Sequence, residues 1–156
     1  MAKEKVIITK ENSISRLFVA LAIVLLIYVL DRYTKYLSSS VYGCFLFCMR
    51  RSVNYGAAFN LLQGLAWTRA LLIFVAIVVL ALTAYFYFTI PKIGALHYGL
   101  IFLFAGTFCN MLDRIFYGYV IDWLSLSFLP VPSLNIADLS NLTGVIILII
   151  VLLRKT

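Results

Sequence analysis

Charge is what this 156-residue sequence has least of. Asp, Glu, Lys and Arg together make up 12% of it, and only six residues are acidic. Histidine occurs once, as His97, and cysteine three times, as Cys44, Cys48 and Cys109. Cys44 and Cys48 stand four apart with no second pair and no histidine beside them, which argues against a metal site. The spacing reads as small buried hydrophobes and leaves a Cys44–Cys48 disulfide open. Low-complexity tracts, linkers and repeats are missing as well.

What the sequence has in quantity is apolar residues. Its hydrophobic fraction is 64% and its mean hydropathy +1.05. One domain of this length needs no such share for a core, so lipid must solvate much of the chain. Thirteen basic residues give a net charge of +7, which suits anionic lipid headgroups. They are scattered around the apolar runs and build no basic face for nucleic acid.

A crossing helix needs about 20 mostly apolar residues. Four stretches qualify, with approximate spans 14–36, 67–90, 94–112 and 136–153, the second stopped by Pro91. The chain reads as an all-α integral membrane protein, a single membrane-embedded domain over 1–156. A small β-rich or interfacial segment is expected on the outer face between helices 1 and 2. The first apolar run is long and lacks a small-residue cleavage site, so it reads as a retained helix. Lys3, Lys5, Lys10 and Arg16 before it, with Arg154 and Lys155 at the other end, predict cytoplasmic termini. Lys92 falls in the short loop on the same side.

In the first loop, aromatic and β-branched residues with interspersed Gly and Ser predict short strands. LLQGLAW reads as an interfacial helix or the lead-in to the second span. His97 reads as an interfacial residue on the cytoplasmic side, far from the acids, which removes Ser–His and Cys–His pairs from the outer face. GxSG and GxGD sequences, marks of some intramembrane protease families, are absent.

Glu4 and Glu11 belong to the tail; the other four acids are aspartates at one level. Asp31 ends helix 1, Asp113 ends helix 3, Asp122 lies in the third loop and Asp138 opens helix 4. Ionisable groups at membrane depth are costly and usually mark function. Clustered carboxylates repel one another, so one of them should hold its proton more tightly, as an acid–base pair activating water requires. Each has a plainer alternative. Asn135-x-x-Asp138 has the spacing of a helix cap with an acid in the first turn, and Asp113 could pair with Arg114 at the interface. Asp122, between Ile121 and Trp123, has no helix to cap and is the sharper signal.

At these residues the sequence resembles the lipoprotein signal peptidase (signal peptidase II) family. The matching blocks are DRYTK (31–35), NYGAAFN (54–60), GTFCNMLDR (106–114), VIDW (120–123) and NIAD (135–138), in the family's order and with compatible spacing. The resemblance implies a four-helix aspartyl endopeptidase of the bacterial inner membrane, with no metal or other cofactor. Asp122 and Asp138 would be its catalytic pair. Asp31, Asn54, Gly56, Asn110, Arg114 and Asn135 would shape the site or bind substrate, and Asp113 would be a structural acid. The implied substrates are diacylglyceryl-modified prolipoproteins, cut just before the lipidated cysteine near the outer face. Membrane lipids and globomycin-type inhibitors would be the other partners. Arg32, Asn60 and Leu134 depart from the residues common in the family. A small proton-coupled transporter is the competing reading, but it should carry its carboxylates near mid-span and often shows repeat symmetry.

Overall fold

The structure is a computed structural model that describes residues 2–40, 42–45, 47–57, 61–90, 94–128 and 132–154, with side chains from Ile14 onward. Readings that concern Asn60, Pro91, Lys92, Lys155 and the side chains of Lys3, Glu4, Lys5, Lys10 and Glu11 lie outside the described residues.

In hydrocarbon the backbone must satisfy its own hydrogen bonds, so apolar runs of this length become helices. The element order is α1 (Ala2–Leu37), β1 (Gly43–Cys44), β2 (Phe47–Asn54), α2 (Thr68–Thr89), α3 (Ala95–Phe116), β3 (Val120–Leu126) and α4 (Ile136–Leu153). Among the described residues, four helices are long and apolar enough to cross a membrane: Ile14–Leu37, Thr68–Thr89, Ala95–Phe116 and Ile136–Leu153. The fourth has the expected bounds. The third runs one turn beyond the expected end and takes in Asp113 and Arg114. It stops where Tyr117 is followed by Gly118 at φ +83°, with Gly118 N–H closing on Arg114 O; a left-handed glycine at this position is a common helix stop.

α3 is the central helix and packs against α1, α2 and α4. Its contact with α4 depends on small residues. A Cβ on Gly106 would run into Ala137 O and the Asn141 side chain, and one on Gly144 into Gly99 O and Leu103. Ser140 Oγ donates to Phe102 O at 2.7 Å across the same seam. With so little apolar area to gain by leaving lipid, close backbone approach and interhelical hydrogen bonds hold such a seam. Ile27, Ala105, Cys109 and Ala137 form the buried core beside it.

The β segment is present, but it draws on two loops. β1, β2 and β3 make one antiparallel sheet in that order, and β3 comes from the loop between α3 and α4. Residues 61–64 of LLQG form turns with Leu62 at φ +66°, so this stretch is a lead-in to α2 and not an interfacial helix. The cysteine reading holds only for Cys109, which is buried; Cys44 and Cys48 face each other across the β1–β2 hairpin as a disulfide.

Candidate active site

The first positioning step is made by backbone. β3 pairs with β2 in a register that sets Asp122 opposite Ser52 and Val120 opposite Asn54. Leu134 then returns to β3: it donates to Leu124 O at 2.7 Å, and its carbonyl accepts from Trp123 and Leu124 N–H. The residue after Leu134 is therefore delivered beside Asp122. That residue is Asn135, wholly buried, whose Nδ2 donates to Asp122 Oδ1 at 2.7 Å.

Asn135 is also the cap of α4. Its Oδ1 accepts from Asp138 N–H at 2.8 Å, and Asp138 Oδ2 accepts from Asn135 N–H at 3.1 Å. This is the reciprocal capping box that the Asn-x-x-Asp spacing predicts. Asn110, on α3, donates from Nδ2 to the other oxygen of Asp138 at 2.8 Å and accepts from Asn135 Nδ2 at 3.2 Å. The two aspartates thus share Asn135, and both oxygens of each carboxylate are occupied by N–H donors. Asn54 supplies the last one, from Nδ2 to Asp122 Oδ2 at 3.1 Å.

Arg114 fastens this group to the loop above it. Nη2 donates to Gly56 O at 3.0 Å and Nη1 to Asn110 O at 3.2 Å, while Gly56 N–H closes a turn on Asn54 Oδ1 at 2.9 Å. Arg69 donates to Arg114 O and Ile115 O at 2.8 Å each and so adds donors to the carbonyls that end α3.

Below lies a second charged group. Asp31 and Asp113 are wholly buried, and Lys35 Nζ lies 2.6 Å from a carboxylate oxygen of each. Arg32 Nη2 is 2.9 Å from Asp31 and 2.6 Å from Asp113. The expected Asp113–Arg114 pair is replaced by these contacts. Arg114 is already engaged by Gly56 O and Asn110 O, whereas Asp31 and Lys35, four apart on one helix face, meet. Asp31 Oδ1 also accepts from Ala137 N–H at 3.1 Å, so this cluster anchors the first turn of α4. Sequence reading missed Lys35 and Arg32 as site-shaping residues, although the Asp31-x-x-x-Lys35 spacing was there to be used.

Burial pushes the Asp122 carboxyl up to about 6, and the Asp138 charge adds to the rise; the amides of Asn54 and Asn135 and the Lys35 charge oppose it. One carboxyl of the pair therefore titrates close to neutral pH. His97 lies in the first turn of α3, at the opposite end of the bundle from Asp113, and is 3% exposed. Among the described residues no three His, Cys, Asp or Glu side chains are grouped to hold a metal ion.

Known proteins resemble this chain in sequence and in fold. The family described as "Signal peptidase (SPase) II" matches residues 23–154. A "Lipoprotein signal peptidase" of Syntrophomonas wolfei is 36% identical over 143 residues, covering 83% of this chain and 89% of that one. One of Microcystis aeruginosa is 33% identical over 134 residues, covering 78% and 83%. A solved structure described as "Bacterial membrane enzyme structure by the in meso method at 2.3 A resolution" superposes with a TM-score of 0.80 at 26% identity, covering 88% of each chain.

Proposed function

The chain belongs to the signal peptidase II family, and from that premise we propose that it is a multi-pass bacterial membrane protease that removes signal peptides from lipoproteins by means of Asp122 and Asp138. The substrates are diacylglyceryl-modified prolipoproteins, cut before the lipidated cysteine. They reach the site sideways from the bilayer, keeping their acyl chains in lipid. Both termini are cytoplasmic and the aspartates work near the outer face. Globomycin-type inhibitors would compete for the same cleft.

The observation that carries this reading is the shared contact of Asn135 with Asp122 at 2.7 Å and Asp138 at 3.1 Å. It keeps two carboxylates together where a water can reach them. Asp138 takes a proton from that water as its oxygen attacks the scissile carbonyl. Asp122 enters protonated and delivers its proton to the leaving amine. A raised carboxyl pKa is the property such an acid needs. Asn54, Asn110 and Asn135 donate to the two carboxylates and fix their orientation, which holds the reacting groups in one geometry. Asp31 and Asp113 shape the site through α4 and do not meet substrate.

The test is the product. Purified protein with a diacylglyceryl-prolipoprotein should release the signal peptide and leave the lipidated cysteine as the new N-terminus, read by mass spectrometry. A cut elsewhere, or none, would refute the assignment.

A further inference from the structure

Proteolysis as proposed makes no use of the opposite end of the bundle, yet costly groups are buried there. His97, in the first turn of α3, is 3% exposed, and among the described residues neither ring nitrogen has a hydrogen-bond partner. Nε of Arg16, at the start of the first span, is buried and without a partner too. Both line a cavity of about 190 Å³ between α1, α2 and α3, together with Tyr87 and Tyr98. Its walls are tied together: Tyr87 OH donates to Arg16 O at 3.2 Å, and the Tyr87 ring meets His97 edge-on at 5.3 Å. Buried polar groups are ordinarily satisfied, so donors left open in a cavity point to an acceptor that fills it.

Two further features define that acceptor. α3 opens at Gly94 with no side-chain cap and no acid in its first turn, so the positive end of its dipole meets no carboxylate of its own first turn. An entirely apolar trough of about 140 Å³ adjoins the polar cavity, sharing Tyr87 and Ile101 with it. The trough is lined by Leu17, Leu21, Val24, Leu100 and Phe104, which lie progressively deeper in the spans. A cationic chamber at the membrane edge continuing into an apolar trough fits an amphiphile with an anionic head and an acyl tail.

We propose that this is a binding site for one anionic phospholipid. Its phosphate accepts from Arg16 and His97, and one acyl chain lies in the trough. With the termini cytoplasmic, the lipid comes from the inner leaflet, where Lys3, Lys5 and Lys10 precede Arg16 in sequence and add attraction for an anionic surface.

The full chain should be reconstituted in vesicles containing equal phosphatidylglycerol and phosphatidylcholine, extracted in mild detergent and weighed by native mass spectrometry. Wild type should retain one phosphatidylglycerol per chain in preference to phosphatidylcholine. Arg16→Gln should lower that retention about fivefold, the value of one cation near a phosphate, and His97→Phe should lower it as well. Arg154→Gln, at the same end on α4 but outside the cavity, should leave it unchanged. If His97→Phe does not fold, Arg16→Gln decides alone. Equal retention of the two lipids, or full retention by Arg16→Gln, overturns the proposal. So does inorganic phosphate that stabilises the detergent-solubilised protein as well as phosphatidylglycerol does, because the acceptor would then be a free anion. The readout is lipid mass, so it is independent of whether the other end of the bundle is proteolytic.

Discussion

Asn135 and Asp122 are joined by a 2.7 Å hydrogen bond between buried side chains, across the gap between the start of α4 and a strand of the outer-face sheet. Because the same asparagine caps α4 in reciprocal contact with Asp138, one residue fixes both carboxylates. Asn135→Ala should therefore do two separable things. Loss of the cap should cost about 1 kcal/mol of stability, read as a lower Tm. Loss of alignment should lower kcat by about 10²-fold, far more than so small a destabilisation explains. A variant with the lower Tm and near-normal kcat would reduce Asn135 to a helix cap.

The raised carboxyl of Asp122 ties activity to pH. In the proposed mechanism its proton is the one delivered to the leaving amine, so kcat/KM should fall as pH rises through about 6, the apparent value belonging to the coupled pair. Stability follows the same sign. A carboxyl raised above its ordinary 3.8 contributes stability that is fully present below 3.8 and is lost as pH rises through about 6. Wild type should lose on the order of 2 kcal/mol between pH 4 and pH 8 from this group, and Asp122→Asn should flatten that slope. Thermal unfolding across pH for the two proteins checks it; parallel slopes would contradict it.

The buried group of Asp31, Asp113, Arg32 and Lys35 makes a different prediction. Lys35 is 3% exposed and the acids are wholly buried, so Lys35→Met strands negative charge in a dry site and should cost about 3–5 kcal/mol. The double change Lys35→Met with Asp113→Leu removes a charge of each sign and should recover much of that loss. Denaturation midpoints in detergent measure both. A recovered double variant should also cleave, since the proposed mechanism gives neither residue a contact with substrate.

Gly106 tests the seam that brings Asn110 to Asp138. A methyl group there would meet Ala137 O and Asn141, forcing α3 and α4 apart just below Asp138. Gly106→Ala should keep the four-helix fold but lower kcat by about 10–10²-fold. Unchanged turnover would mean that the seam is looser than the geometry implies.

The spans could be read from sequence because lipid leaves an apolar run few options, and the bounds of α4 were legible to the residue. The α4 cap was legible for a similar reason, since Asn135 and Asp138 act within one turn. The strand β3 was not. VIDWLSL carries no mark of its partner, and its side-chain facing is defined only once β2 and Leu134 are paired with it. The Asp113–Arg114 reading failed because both partners are engaged elsewhere, Arg114 by Gly56 O and Asn110 O and Asp113 by Arg32 and Lys35 of α1. The burial of His97 was not legible, because it depends on three helices that meet at its position. Place at the span ends and in the third loop singled out the four aspartates, and the family resemblance implied Asp122 and Asp138 as a pair; that Asn135 bonds both of these while Lys35 and Arg32 hold Asp31 and Asp113 is tertiary.

The measurement that bears most directly on the account is single-turnover cleavage of a diacylglyceryl-prolipoprotein by Asp122→Asn and Asp138→Asn, each first verified to be folded in detergent. Acid–base groups of this kind contribute about 10²–10⁴-fold, and both variants should lose at least that much while still binding substrate. Cleavage by either variant within tenfold of wild type would contradict a catalytic role for that aspartate and, with it, the water-activating pair.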